Sequence, residues 1–158
     1  TQYVFGRGVE SQTGELTRSM GCKRVLIVYG GGSVVRSGLL DRVKQSLDAE
    51  GIEHIDLGGI NPNPTDDRVY EGIDLCHTHN IDGVLGVGGG SAIDTAKAIA
   101  GGALYDGDFW DFYQGKLVNE ALPIGITLDE RIADGFYYSG TMALVKELLA
   151  HKKGAKTV

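Results

Sequence analysis

Two glycine triplets are the residues of this sequence whose type and spacing could do chemistry: Gly30–Gly32 in "VYGGGSVVRSG" and Gly88–Gly90 in "GVGGGSAIDTAK". Without β-carbons, the backbone N–H groups of such a turn can approach phosphate oxygens. A helix that begins there adds unpaired donors and the positive end of its dipole. Ser91 stands where a helix N-cap is expected, and its hydroxyl could also bind a phosphate. The triplets therefore predict a phosphate-binding edge.

Neither triplet has the spacing of a Walker loop or of a plain G-x-G-x-x-G fingerprint. The alternative is that the glycines only let the chain pass tightly from a strand into a helix. Asp94 and Lys97 also have two interpretations. Their i,i+3 spacing is that of an exposed ion pair, although Ile93, Ala96 and Ile99 indicate a helix with little exposed surface.

Strand and helix patterns alternate along the chain, and both triplets fall at the ends of predicted strands. Apolar runs closed by glycine, such as "KRVLIVYG", are typical of strands buried on both faces of a parallel sheet. The alternation predicts an α/β fold: a Rossmann-like three-layer domain with a mostly parallel sheet, which binds ligands at the carboxyl ends of its strands. The predicted strands are 1–8, 23–30, 52–59, 82–90, 121–128 and the beginning of a further one at 155–158; the predicted helices are 11–20, 37–51, 65–80, 91–102 and 139–154.

The composition is that of one ordinary globular domain, with 158 residues, 42% of them hydrophobic and 23% charged. A net charge of −6 argues against a nucleic-acid or membrane-surface binder. We recognise no signal peptide and no apolar run near the ~18 residues that a membrane span needs. Cys22 and Cys76 lack the spacing of a disulfide framework, which favours a reduced, cytoplasmic setting.

The segment "GGGSAIDTAKAIA" resembles the GGGSxxDxxK motif of the iron-containing (group III) alcohol dehydrogenases, particularly their butanol dehydrogenase-like branch. Further segments that resemble the family follow in the same order over residues 1–128. They are "FGRG", "KRVLIVYGGGSVVRSGLLDRV", "GIEHIDLGGINPNPTDDRVYEG", "YDGDFWDF" and "ALPIGITL".

This resemblance implies an N-terminal α/β domain that binds NAD(P) and a separate helical domain that holds Fe²⁺ or Zn²⁺. The second triplet and its serine would contact the cofactor pyrophosphate, the acid and lysine of the motif would complete that site, and the first triplet would face the adenosine ribose. Asp94 would lie toward the nicotinamide ribose. The residues so implied are Gly88, Gly89, Gly90, Ser91, Asp94 and Lys97 for the first two roles, and Gly31, Gly32 and Ser33 for the third.

The first triplet also bears on the choice of cofactor. Family members that favour NAD often place an acidic residue there to bind the 2′-hydroxyl, and "GGGS" has none. The turn can therefore admit a 2′-phosphate, which favours NADP over NAD. Arg36 would either neutralise that phosphate or be a solvated arginine at the start of a helix.

After "ALPIGITL" the sequence departs from the family, since the segment resembling TxPATGSE is absent. We interpret residues 1–158 as a single nucleotide-binding domain, with 1–128 family-like, 129–158 a divergent βα tail and the helical metal domain absent. The family's metal is therefore not expected, hydride transfer would lack a Lewis acid, and the chain should be inactive alone. His77 and His79 form H-x-H without a third ligand, which is typical of a surface pair.

The tail has a second resemblance, to the phosphoribosyl-diphosphate motif of type I phosphoribosyltransferases. Asp129 and Glu130 would match its acids, and Ser139, Gly140 and Thr141 its phosphate loop. The alternative is a turn followed by an amphipathic helix. A truncated or engineered α/β scaffold without a binding function is a further hypothesis for the whole chain.

The segment 104–116 is rich in aromatic and acidic residues but has no clear period. Its acids lack the glycine and terminal glutamate of an EF-hand. Its aromatic residues would pack the loop down or, with the helical domain missing, form a sticky exposed patch. These residues are Asp106, Asp108, Asp111, Phe109, Trp110 and Phe112. A homodimer through exposed apolar surface is a separate expectation for the chain.

Overall fold

The computed structural model of the protein describes Val4 and residues 6–63, 65–114 and 122–127. A 3-10 turn, Val9–Gln12, precedes the first helix. The helices are α1 Thr13–Ser19, α2 Gly32–Arg36, α3 Leu39–Ala49, α4 Asp66–His79, α5 Gly90–Gly102 and α6 Trp110–Tyr113, and the strands are β1 Arg24–Gly30, β2 Glu53–Ile60, β3 Gly83–Val87 and β4 Ile124–Thr127. None of these helices combines the length and the apolar character that crossing a bilayer requires.

The strands of the described residues form one parallel sheet in the order β2-β1-β3-β4. The central strands β1 and β3 pair from Val25 with Gly83 to Tyr29 with Val87. Strand β3 is buried along its whole length, and β1 is buried from Val25 to Val28. This burial on both faces explains why these strands are continuous apolar runs. The predicted parallel α/β fold is confirmed.

Successive residues of β1 point to opposite faces of the sheet and join two separate cores. Val25 and Ile27 pack with the buried side of α2 and α3. Leu26 and Val28 pack with α4 and α5. Helix α1 packs on α3, where the Gly14 N–H donates to the Ser46 hydroxyl at 2.9 Å. Helices therefore cover both faces, as the three-layer prediction required.

The start of the chain differs from its prediction as a strand. The described part of that segment, Val4 and Gly6–Gly8, contains no strand. Gly6 and Gly8 have φ angles of 147° and 74°, and these left-handed conformations turn the chain into the 3-10 turn. The strand prediction is wrong for these residues.

Two short helices are absent from the sequence prediction. Helix α2 follows the first triplet, and its β-branched Val34 and Val35 hide a helical signal. Helix α6 begins where the Asp108 carboxylate accepts the Trp110 N–H at 3.0 Å, a local cap inside a segment without periodicity. The predicted helix 139–154 and the predicted strand at 155–158 lie outside the described residues.

Candidate functional site

The carboxyl ends of β1 and β3 form the centre of one edge of the sheet. The chain leaves β1 toward β2 on one side and leaves β3 toward β4 on the other, because the strand order is β2-β1-β3-β4. Open parallel sheets bind ligands in the crevice where such connections diverge. Gly30–Gly32, here called the first turn, joins the last residue of β1 to the first residue of α2, and Gly88–Gly90, the second turn, joins β3 to α5. The fold thus brings both predicted turns to one crevice.

Gly88 begins the second turn, and the fold itself requires glycine there. Its φ of 129° is a conformation that L side chains rarely adopt. A β-carbon would also lie only 3.0 Å from Cγ2 of Val34 on α2. The Gly88 N–H donates to the Thr127 carbonyl of β4 at 3.1 Å, so this donor is already used. Gly88 therefore anchors the turn rather than offering a donor to a ligand.

Gly89 follows directly, and nothing in the described protein requires glycine at that position. Its φ of −87° and ψ of −173° are extended values that any residue adopts. A β-carbon there would meet no described atom within 4 Å. Gly89 is half-buried, so a ligand in this open space could reach its bare backbone. Neither the backbone conformation nor the packing of the described residues explains why position 89 is a glycine.

Helix α5 begins at Gly90 with Gly89 as its N-cap. The predicted N-cap, Ser91, is therefore wrong: it lies inside the first turn of the helix, because the extended Gly89 already starts it. The N–H groups at such a helix start have no partner within the helix and carry its positive dipole end. Ile93 N–H donates to the Gly89 carbonyl at 3.2 Å and closes this first turn. Within the described residues, the half-buried Ser91 hydroxyl has no hydrogen-bond partner.

Gly86 of β3 sets how closely α5 lies on the sheet. A β-carbon on Gly86 would lie 3.2 Å from Cβ of Ala96 and 3.5 Å from Cα of Ile93. The alanines of "SAIDTAKAIA" provide the matching small surface on the helix. This contact places the start of α5 directly above the end of β3.

The first turn is open to solvent at Gly31, Gly32 and Ser33. A β-carbon on Gly31 would meet no described atom within 4 Å, whereas one on Gly32 would collide with the Arg36 guanidinium, which folds back over the turn. No carboxylate of the described residues forms an ion pair with Arg36. The turn therefore offers bare backbone beside an exposed, uncompensated positive charge.

Asp94 and Lys97 lie on the outer side of α5. Their side chains are 69% and 41% exposed, and the Lys97 ammonium lies 3.5 Å from the Asp94 carboxylate. Such an exposed pair adds little to stability. Partial desolvation of its hydroxyl, together with the nearby Asp94 carboxylate, raises the pKa of Tyr113, although most of this side chain is exposed. The structure thus places Asp94 one helical turn from the crevice, next to an aromatic side chain.

That tyrosine belongs to an aromatic cluster formed by Tyr70, Phe109, Trp110 and Tyr113, whose neighbouring rings are 4.9 to 6.2 Å apart. Phe109 is buried in the core beside α4 and α5, while Trp110 and Tyr113 remain exposed. One aromatic residue therefore packs the loop onto the core, while the other two form an exposed patch, so each of the two alternatives holds in part. Tyr70 donates to Asp108, so this acid caps α6 and binds a tyrosine.

The histidine pair shows no sign of a metal centre. His77 Nε2 lies 2.9 Å from the Ala103 carbonyl, and His79 is exposed. Among residues 6–63, 65–114 and 122–127, no three His, Cys, Asp or Glu side chains are grouped so that they could hold a metal ion. The described residues thus do not fit the family's metal. The predicted tail site, at Asp129, Glu130 and 139–141, lies outside them.

A cavity of about 350 Å³ lies at the opposite edge of the sheet, beside the amino ends of β1 and β2. Its arginine is already satisfied, because Arg24 pairs with Glu53 at 2.7 Å and donates to the His79 carbonyl at 2.8 Å. His54 lies 3.2 Å from Asp48. With its charged groups occupied by one another, this cavity has less to offer a ligand than the glycine crevice.

Comparison with known proteins agrees with this geometry. Residues 1–128 match the family described as iron-containing alcohol dehydrogenase. The chain is 48% identical over 129 residues to the probable NADH-dependent butanol dehydrogenase 2 of Bacillus subtilis, a match that covers 81% of this chain and 33% of that protein. It is 37% identical over 132 residues to the NADPH-dependent aldehyde reductase YqhD of Escherichia coli, with the same two shares covered. The chain thus spans about a third of the length of the curated relatives it matches.

Solved structures show the same relationship in three dimensions. The NADH-dependent butanol dehydrogenase A of Thermotoga maritima superposes with a TM-score of 0.75 at 43% identity, over 80% of this chain and 34% of that one. The substrate- and cofactor-free aldehyde reductase YqhD of E. coli gives 0.73 at 37% identity, over 81% and 34%. The likeness is to the Rossmann-like N-terminal domains of these enzymes. With its fold, glycine turns and sequence in agreement, the chain belongs to the iron-containing alcohol dehydrogenase family.

Proposed function

We propose that this chain binds a nicotinamide dinucleotide in the crevice between the first and second turns. The observation that carries the proposal is the open space at Gly89, where the backbone is extended and a β-carbon would meet no described atom. Such a glycine has no role in the protein's own packing. A pyrophosphate that must approach the backbone at the start of a helix gives it one.

Each predicted residue has a role in this proposal. The backbone from Gly89 to the first turn of α5, together with the Ser91 hydroxyl, binds the pyrophosphate. Gly88 holds that turn in place through its bonds to the fold. Gly31, Gly32 and Ser33 face the adenosine ribose. Asp94, paired with Lys97 on the outer side of α5, lies toward the nicotinamide ribose.

The first turn favours NADP over NAD in this proposal. It contains no acid that could accept a hydrogen bond from a ribose 2′-hydroxyl, and the uncompensated Arg36 lies directly over Gly32. An arginine in that region can accommodate a 2′-phosphate, because charge-assisted bonds to phosphate are strong. The names of the relatives support a nicotinamide cofactor in either form, since the bacillary protein is named NADH-dependent and YqhD NADPH-dependent.

Titration of the full chain with NADPH and NADH by calorimetry tests binding. We expect heat and thermal stabilisation with both cofactors, and tighter binding of NADPH. Absence of both signals at millimolar cofactor would overturn the proposal and favour a scaffold without a binding function.

Gly89→Asp tests the site itself. Aspartate is a preferred N-cap, so this variant should fold as well as the unmodified chain, while its carboxylate repels the pyrophosphate. Affinity should fall by about a hundredfold or more. Gly89→Asn is the matched control, because it has the same size and capping ability without the charge. Equal affinity of Gly89→Asp and the unmodified chain would place the cofactor elsewhere.

For a protein of the relatives' length, we propose NAD(P)-dependent interconversion of a small primary alcohol and its aldehyde. This domain would hold the cofactor for hydride transfer. We assign no catalytic step to the described residues, and we propose that the chain alone binds the cofactor without turnover. An assay with butanal, NADPH and added Zn²⁺ or Fe²⁺ should give the background rate. A rate above background that depends on this chain would overturn this part of the proposal.

We also propose a reducing, cytoplasmic setting. Cys22 and Cys76 are buried free thiols. Burial raises the pKa of Cys76 to about 12, and burial with the nearby Asp82 carboxylate raises that of Cys22. Both should therefore stay protonated and unreactive in the native chain. Slow labelling by a thiol reagent, accelerated by denaturant, is the expected result; fast labelling of the native chain would contradict it.

The exposed rings of Trp110 and Tyr113 support a proposed homodimer through the aromatic cluster. Sedimentation of the chain should show concentration-dependent dimers, and Trp110→Lys should shift them to monomers. A chain that stays monomeric at high concentration would contradict this assembly.

A further inference from the structure

Val34 occupies the space between the two glycine turns. It is the buried side chain of α2, the short helix that follows the first turn, and it is only 1% exposed. Its Cγ2 methyl lies 3.0 Å from the position that a β-carbon would take on Gly88 in the second turn. The other atom within 4 Å of that position is Cβ of Ala92, at 3.9 Å. One methyl group of α2 therefore occupies the space beside Gly88 that a β-carbon at this position would need.

The far end of α2 is fixed to the rest of the domain. The Ser37 hydroxyl donates to the Val34 carbonyl at 3.1 Å, and Arg42 of α3 donates to the Ser37 carbonyl at 3.0 Å. Arg42 also forms a 2.7 Å ion pair with the largely buried Glu10. Because its carboxyl end is held in this way, α2 keeps the Val34 side chain in a fixed position.

The second turn is also held by β4. The Gly88 N–H donates to the Thr127 carbonyl at 3.1 Å. Gly88 is therefore held by β4 through a hydrogen bond and by α2 through the contact with Val34. A ligand that touches both turns depends on the distance that these two contacts maintain.

We propose that Val34 is a positioning residue that sets the separation of the two turns and so determines the affinity for a ligand that bridges them. The inference rests on the proposed dinucleotide binding and adds a residue that contacts neither phosphate nor ribose. Truncation of Val34 leaves a gap beside Gly88, and both turns can then relax toward it. Ligand binding must then restore the productive spacing of the turns, and the free energy that this costs lowers the affinity.

The test compares Val34→Ala with Val43→Ala in the full chain. Val43 on α3 is equally buried in the same core, with 0% exposure, but none of its atoms lies within 4 Å of a β-carbon placed on Gly88 or Gly89. Both variants remove the same two methyl groups, so both lower stability through the core. NADPH affinity is measured by calorimetry at a temperature where both variants are folded by circular dichroism. We expect about a tenfold loss for Val34→Ala and less than about twofold for Val43→Ala.

Val34→Ile supplies the rescue, because it keeps the branched Cβ and a carbon atom at both γ positions, including the one beside Gly88. Affinity near that of the unmodified chain is expected for this variant. Equal affinities of Val34→Ala and Val43→Ala would overturn the inference while leaving dinucleotide binding intact. If the unmodified chain binds neither NADPH nor NADH, the proposed function fails first, so the two failures are distinguishable.

Discussion

The two glycine turns lie at the ends of neighbouring parallel strands and share a sequence pattern, yet they differ in rigidity and in exposure. The second turn is locked by the left-handed Gly88, by the hydrogen bond to Thr127 and by the contact with Val34. It leads into a 13-residue helix that is largely buried. The first turn is exposed, leads into a helix of five residues and is crossed by the flexible side chain of Arg36.

This difference teaches that similar glycine patterns can supply rigidity in one place and access in another. A pyrophosphate is negatively charged and needs several donors at once, so the positions of these donors should be fixed before binding. The distinction between a 2′-hydroxyl and a 2′-phosphate needs only one group of the correct charge. In our proposal the locked turn therefore binds and the open turn selects.

The largest effect should come from Gly88→Ala, which tests whether the second turn is locked. The positive φ and the contact with Val34 together should lower the free energy of unfolding by about 3 kcal/mol. Gly89→Ala is the adjacent control. Alanine is a poorer N-cap than glycine but also makes the unfolded chain stiffer. These two opposing effects should keep the change in the free energy of unfolding within about 1 kcal/mol. Urea denaturation of both variants measures the difference; equal losses would mean that Gly88 is not the anchor.

Arg36→Gln tests selection by the open turn. Loss of a charge-assisted bond should weaken NADPH binding by about tenfold and leave NADH binding unchanged, with no loss of stability because the side chain is exposed. Arg18→Gln removes the same charge from α1, where Arg18 pairs with Glu50 far along the chain. An equal loss for both cofactors, or an equal effect of the control, would show that Arg36 acts only through net charge.

Ser91→Ala sharpens the description of the second turn. One hydrogen bond from this hydroxyl to a charged phosphate contributes about 1.5 kcal/mol, so both cofactors should bind about tenfold more weakly. Stability should be unchanged, since the Ser91 hydroxyl has no hydrogen-bond partner among the described residues. Thermal shift at fixed cofactor concentration detects the change. Unaltered binding would limit the phosphate contacts to the backbone.

Asp94→Asn should have the smallest effect on stability, within about 0.5 kcal/mol, because its pair with Lys97 is exposed and screened. A loss well above that value in thermal denaturation would show that α5 depends on this pair. Any change in cofactor affinity at constant stability would instead support the proposed position of Asp94 near the nicotinamide ribose.

The sequence predicted the fold well where burial is one-sided or complete. The continuous apolar runs of β1 and β3 indicate strands buried on both faces, and the helical spacing of the leucines in α3 indicates one buried face; both signals depend on local residues alone. The prediction from sequence failed at Gly6–Gly8, whose turn depends on backbone angles. It also missed α2 and α6, which are too short to show a helical period.

The site was predicted only in part for the same reason. Glycine and serine types indicated phosphate chemistry, and the family motif gave each residue a role. No local signal in the sequence distinguishes Gly88 from Gly89. Gly88 contacts Val34 and Thr127, which belong to other segments, whereas a β-carbon on Gly89 would meet no described atom within 4 Å. A valine after a glycine triplet is the one hint of Val34, and it is no different from any core residue.

The sequence by itself determined the alternation of strands and helices, the family and the chemistry that bare glycine backbone allows, since these follow from residue type and short-range spacing. The tertiary structure decided which glycine anchors, which is open and how far apart the two turns lie. Those properties arise from contacts between segments that are far apart in the chain, such as α2 with β3 and β3 with β4. Only the folded sheet brings these segments together.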